Sequence, residues 1–345
     1  VLNIFYQLGL VFLMFSSGFN TCIGVDKKNL KTIGCVFTGA TVLPMLAAVP
    51  FARLFQESFI GAQGSEISFL LVFIIGVAIT SIPVISKIFF DMGIMNTTFS
   101  NTVLTVSTFQ DLCLWILLNI ATRMALTGDV KLLDMLLVIL FTLGMFAAAK
   151  LIAEHLHSGY RRSVKATDFY TVSFVALLLL CAVLHRFGIN IMYSAFLVGY
   201  IVKAVSQSDK NANGRMEAVA NFSFSFFIPI YFALVGIQLN LLHNFSCGRF
   251  LLFFGVAFGL EAAGTVIMLL FTNLKKQVII NFAITMNARG GPGIVLATVA
   301  YSYQIINVEF FTVLILTTML SSLIAGYWLR NQQRRDEHIF MELTK

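Results

Sequence analysis

The sequence predicts an all-α polytopic membrane protein with two broken helices, and three observations carry that prediction. Only 11% of the 345 residues are charged and 58% are hydrophobic, whereas soluble domains carry about 25% charged residues; mean hydropathy is +0.88. Apolar runs of roughly 20 residues, long enough to cross a hydrocarbon core about 30 Å thick, recur along the whole chain. Two of these runs are interrupted by polar residues, glycine and proline at matching places in the two halves of the sequence.

Taken in order, eleven spans are expected at residues 3–24, 32–54, 67–90, 99–125, 132–153, 168–186, 189–205, 217–240, 249–272, 277–301 and 308–329. The chain opens on Val1, and no basic stretch with a cleavage site precedes the first run, so no signal peptide is visible. Cys22, Cys35, Cys113, Cys181 and Cys247 are odd in number, scattered and free of any CxxC pair. They read as packing residues rather than disulfides or metal ligands.

The formal charge of +7 could point to nucleic acid, but its distribution points to a lipid bilayer instead. The connections on one side of the predicted spans, together with the tail, hold 17 of the 23 Lys and Arg residues, among them Lys27, Lys28, Arg161, Arg162, Lys275 and Lys276. The opposite side holds Arg53, Arg123, Lys131, Arg186 and Arg249, and Arg289 lies inside a span. The positive-inside rule then puts the C-terminal tail in the cytoplasm and Val1 outside. Adding or removing one span in mid-chain would mix the two sides. The plasma (inner) membrane is the expected location rather than an organelle.

The loop-like stretch SQSDKNANGRM (206–216) divides the chain into two parts of similar layout. LVFLMFSSGFNTCI (10–23) in span one matches IPIYFALVGIQLNL (228–241) in span eight in style, and each is followed by a plain span and then an interrupted one. Span three is expected to break at Thr80-Ser81-Ile82-Pro83 and span ten at Asn287 to Gly293, where proline removes a donor and glycine loosens the helix. Spans one and eight run in opposite directions, so the repeats are inverted, a layout common among secondary transporters. The first repeat covers 1–125, a connector span 132–153, the second repeat 168–330 and a short tail 331–345. The first repeat lacks counterparts of spans six and seven, which predicts thirteen spans in a complete protein.

Ionisable residues inside a membrane are expensive and normally serve ions, protons or charge pairing. Asp111 sits near the middle of span four among Thr105, Ser107, Thr108 and Gln110, with Ser107 one turn before it on the same face. Interrupted helices expose backbone groups that can line an enclosed cavity, and Thr80, Ser81 and Asn287 would line it. Arg289, in the second interruption, could neutralise helix C-terminal carbonyls or pair with a buried acid. Glu261, in FGLEAAGTVIML, is the other intramembrane acid and is either its partner or a second proton site.

Other signals carry less. Glu154, His155 and His157 have metal-ligating side chains but not the HExxH spacing, and they read as a solvated loop. His185 is most simply interfacial, and the 35 Phe residues are lipid-facing and packing groups. With no phosphate-binding loop and no Ser/Lys, paired-Asp or His/Asp constellation, neither a nucleotide cofactor nor an enzyme is expected.

The segments LVFLMFSSGFNTCI, GVAITSIPV (76–84), STFQDLCLWI (107–116), FFIPIYFALVGIQLNL (226–241) and MNARGGPGIVLA (286–297), in this order over nearly the whole chain, resemble the monovalent cation/proton antiporters. These include Kef-type potassium/proton systems and plant cation/proton exchangers. The resemblance implies a thirteen-span antiporter fold, with a dimerisation domain forming a homodimer and a moving core built around two crossing broken helices. It also implies that a monovalent cation, K+ or Na+, competes with protons at Asp111. Gln110-Asp111 matches the Gln-Asp signature of the Kef type, and one titrating acid favours electroneutral exchange.

The chain departs from that pattern twice. Glu261 stands where many relatives carry Lys, and Arg289-Gly290-Gly291 stands where many carry Arg-Gly-Glu. The function these readings converge on is alternating-access exchange, with Thr80, Ser81 and Gln110 assisting Asp111. A transport-inactive or channel-like sensor derived from the same fold is the alternative.

Overall fold

The computed structural model describes residues 2–19, 29–95, 97–127, 140, 144, 175, 178–183, 191–206, 222, 225–239, 241, 245–336 and 339–340. Most of the expected spans 132–153 and 168–186 lies outside the described residues. Every extended element among the described residues is a helix, and the β-geometry is confined to an isolated antiparallel bridge between Ile60 and Ile306.

The chain divides into two units, one of Val1–Thr21 with Asp129–Leu239 and one of Cys22–Gly128 with Asn240–Lys345. In the first unit, α1 (Leu2–Phe19) packs on α7 (Ile191–Ser206) and α8 (Phe227–Gln238). A glycine on each side lets α1 and α7 touch. A Cβ at Gly18 would run into the carbonyl oxygen of Phe196, and one at Gly199 into that of Phe15. Small residues at such crossings are how membrane helices gain packing where lipid and side chain are equally apolar. Phe12 stacks on Phe227 at 4.8 Å to join α1 to α8.

The second unit holds the candidate site. Five of its helical segments are long and apolar enough to cross a membrane: Leu30–Phe59, Glu66–Asp91, Thr98–Leu126, Cys247–Leu269 and Val308–Arg335. The first consists of α2 (Leu30–Phe37), a π-helical segment (Thr38–Val42) and α3 (Leu43–Phe59). The second is broken into α4 (Glu66–Val77) and α5 (Ile82–Asp91). Next come α6 (Thr98–Thr127) and α9 (Cys247–Leu269). A second broken helix follows, α10 (Lys276–Met286) and α11 (Gly290–Ser302), and α12 (Val308–Arg335) closes the unit.

Local chemistry sets the ends of these helices. Ser65 and Ser68 form a reciprocal capping box at the start of α4, and the Asn307 side chain caps α12 by accepting from Phe310 N–H at 3.0 Å. The surface inverts the pattern of a soluble protein. Leu46, Leu54, Phe90, Leu252 and Leu323 face outward, while Thr80, Gln110, Asp111, Glu261 and Arg289 are buried. That distribution suits a hydrocarbon solvent, in which polar groups must find partners inside the protein.

The first break is as long as the sequence suggested but begins two residues earlier, and the second is shorter than suggested. They occupy residues 78–81 and 287–289, and Pro83 and Pro292 lie in the first turns of the second halves. The reason is that proline in a helix interior lacks the N–H for the fourth preceding carbonyl and its ring collides with that carbonyl, yet a first turn tolerates it. The break therefore falls just before each proline.

Candidate functional site

The site is built where the two breaks meet. A continuous helix through Pro292 would leave the carbonyl of Ala288 without its donor; here that oxygen accepts from the N–H of Ser81, at 2.6 Å, in the other broken helix. Ser81 also begins α5, its hydroxyl accepting from Val84 N–H at 3.4 Å. Gly290 begins α11 with φ +45, a backbone conformation available to glycine at no steric cost. A Cβ there would strike Val84 and come within 2.5 Å of the Ser81 hydroxyl. The Gly290 N–H donates to the Ser322 hydroxyl of α12 at 3.0 Å.

Each break also supplies a side chain to the other helix's C-terminal end. The hydroxyl of Thr80, after α4, lies 2.5 Å from the carbonyl of Met286, the last residue of α10. Arg289, after α10, donates from Nη2 to the carbonyl of Val77, the last residue of α4, at 2.9 Å. These are the ends where a helix leaves carbonyls unsatisfied and carries partial negative charge.

The same Nη2 is within 3.0 Å of Ala257 O, 2.9 Å of Glu261 Oε2 and 3.2 Å of Asn287 Oδ1, so its two hydrogens are shared among four acceptors. Glu261 Oε1 is 3.3 Å from the Thr80 hydroxyl. Arg289 and Glu261 are 1% and 0% exposed, a burial that only pairing makes tolerable. Thr80, Asn287, Arg289 and Glu261 thus form one network.

The α6 residues form a second group. Gln110 donates through Nε2 to Ala78 O in the first break at 2.8 Å and to Ala40 O in the π-helical segment at 3.2 Å. A π turn interrupts the regular ladder and is frequent at functional positions. The neighbouring Asp111 is 1% exposed, and neither of its carboxylate oxygens has a hydrogen-bond partner among the described residues. The same holds for the Ser107 hydroxyl, the Gln110 Oε1 and the Thr41 hydroxyl. Such a carboxylate is stable in a low-dielectric interior only with a proton or a cation on it.

Sequence reasoning missed the acceptors Ala40, Val77, Ala78, Met286 and Ala288, which act through backbone carbonyls and therefore leave no residue-type signature. It also missed Ser322 and the π-helical Thr38-Gly39-Ala40-Thr41-Val42. The run of small residues in TGATV signals a close helix crossing rather than a π turn: a Cβ at Gly39 would sit 2.6 Å from the carbonyl of Gly264 in α9.

Comparison with known proteins agrees with this architecture. The family described as "Sodium/hydrogen exchanger, transmembrane" matches residues 1–331. Cation/H(+) antiporter 17 of Arabidopsis thaliana is 22% identical over 338 residues, covering 93% of this chain and 40% of the relative. Na(+)/H(+) antiporter NhaS4 of Synechocystis sp. is 22% identical over 332 residues, covering 93% of this chain and 79% of the relative. The Na(+)/H(+) antiporter of Enterococcus hirae is 24% identical over 330 residues, covering 93% and 82%. The chain spans about 40% of the length of the plant relatives it matches. With a family match over residues 1–331 and long apolar helices around two meeting breaks, this integral membrane protein belongs to the sodium/hydrogen exchanger family.

Proposed function

We propose that the chain exchanges a monovalent cation, K+ or Na+, for protons across a membrane, with cation and proton competing at Asp111. The observation that carries this reading is the buried Asp111 carboxylate, unpartnered among the described residues, next to Gln110, whose amide reaches the first helix break through Ala78 O. A dehydrating cation there would take oxygen ligands from Asp111, Gln110 Oε1 and Ser107, with Thr80 and Ser81 positioning the break. Thr80 acts through its contacts with Met286 and Glu261 rather than as a free ligand.

In this reading Glu261, Arg289 and Asn287 compensate charge at the crossover. The 2.9 Å pair supports structural pairing over a second proton site. Asp111 would then be the single exchanging acid, which favours one-for-one, electroneutral exchange. Alternating access would carry the loaded site from one side to the other, within an eleven-span inverted repeat. The active form would be a homodimer in the plasma (inner) membrane with the tail in the cytoplasm.

The relatives named as K(+)/H(+), Na(+)/H(+) and cation/H(+) antiporters support the same exchange chemistry. Reconstituted vesicles carrying a pH-sensitive dye test it. Saturable proton movement driven by either K+ or Na+, with each ion inhibiting the other, is expected. Large unitary currents with no coupled proton flux would instead identify a channel-like protein.

A further inference from the structure

A groove of about 670 Å³ runs between α5 and α12 of the second unit. Its α12 wall is a stripe at three- and four-residue spacing, from Met319 through Leu323, Gly326 and Tyr327 to Arg330 and Arg334. Its α5 wall is Val84 and Ile88. The lining is apolar at one end and basic at the other. Fifteen residues separate Met319 from Arg334, about 22 Å of helix at 1.5 Å per residue. Half of a bilayer with its headgroups is also about 20–22 Å deep.

We propose that this groove binds an anionic phospholipid, the acyl chain along Met319, Leu323 and Val84 and the phosphate at Arg330 and Arg334. Leu323 and Tyr327 are 69% and 77% exposed, as a lipid-contacting wall requires. At the basic end the charged lining residues are Arg330 and Arg334. Asp91 lies 2.7 Å from Lys87 and 3.5 Å from Arg330, while Arg334 makes no ion pair among the described residues. The charged residues of the groove lining are thus both basic, and arginine offers a planar fork of donors that matches a phosphate. A zwitterionic lipid fills the apolar part equally well but brings its own cation to the basic end.

The groove lining extends to the crossover. Val84 is the side chain against which a Cβ at Gly290 would collide, and Ser322, also in the lining, accepts from Gly290 N–H at 3.0 Å. A lipid held here braces the two residues that seat the start of α11.

Native mass spectrometry of the full chain tests the site, after incubation with vesicles of equal parts phosphatidylcholine and phosphatidylglycerol. Attraction of an anionic headgroup is worth about a fivefold gain per basic residue near the membrane surface, so for Arg330 and Arg334 together roughly 25-fold preferential retention of phosphatidylglycerol is expected. Arg330→Gln with Arg334→Gln should abolish that preference while phosphatidylcholine remains bound. Gly326→Leu should reduce retention of both lipids, because a Cβ there meets Ile88 no closer than 3.5 Å and the rest of the side chain fills the groove. A wild-type chain without headgroup preference overturns the proposal, as does a preference that survives all three substitutions. None of these readouts depends on ion exchange, so the result stands apart from the transport reading.

Discussion

Thr80 lies in one broken helix and Met286 ends the first half of the other, yet the Thr80 hydroxyl lies 2.5 Å from the Met286 carbonyl. Its counterpart is the 2.9 Å bond from Arg289 to Val77 O. Each break thereby caps the other helix. Thr80→Val keeps the shape and removes the donor, leaving a buried carbonyl unpaired at a cost of about 1–3 kcal/mol. A matching fall in detergent melting temperature is the expected reading, larger than that for Thr312→Val, whose hydroxyl bonds only within its own helix.

Arg289 and Glu261 form a buried pair at 2.9 Å. Removing one partner strands the other charge, so Arg289→Leu or Glu261→Leu alone should cost about 3–5 kcal/mol, while the two together should cost markedly less. A double-mutant thermal-stability cycle checks this. Additive losses would refute a direct pairing.

Gly290 combines positive φ with contact against Val84 and Ser81. Gly290→Ala should lower stability by at least about 1–3 kcal/mol, because strain at φ +45 adds to overpacking. Gly34→Ala is the control, since nothing lies within 4 Å of its added Cβ. Melting temperatures of the two variants should separate clearly.

Asp111→Asn should leave the protein folded, with unchanged or slightly raised melting temperature, because it removes an acid that no side chain partners among the described residues. Cation-dependent proton flux in vesicles should fall to that of protein-free vesicles. Full flux in this variant would sink the exchange reading.

Gln110 joins α6 to Ala78 and Ala40. Gln110→Leu leaves both carbonyls unpaired and should cost about 1–3 kcal/mol. It should also weaken the apparent affinity for K+ and Na+, by measurement of flux against cation concentration, whereas Gln110→Glu should retain more of the affinity.

The positions of the described long helices were legible because a hydrocarbon solvent demands runs of apolar residues of fixed minimum length. The breaks at residues 78–81 and 287–289 were legible to within a few residues because proline there stands beside polar residues or glycine; proline alone is no such signal, since Pro50 lies inside α3 without breaking it. Asp111, Glu261 and Arg289 stood out for the same reason, as charges where charge is costly. The π-helical segment was not legible, because nothing in TGATV distinguishes five residues of π from five of α until α9 packs against Gly39.

The sequence by itself determined the solvent, the helices and the few residues that had to be explained. Only the tertiary structure decided the partners. It put Glu261 rather than Asp111 against Arg289, and it left the Asp111 carboxylate unpartnered among the described residues. The physical reason is that burial cost belongs to one residue and can be read from its type. Pairing depends instead on which helices cross, and here it runs largely through backbone carbonyls, which every residue possesses.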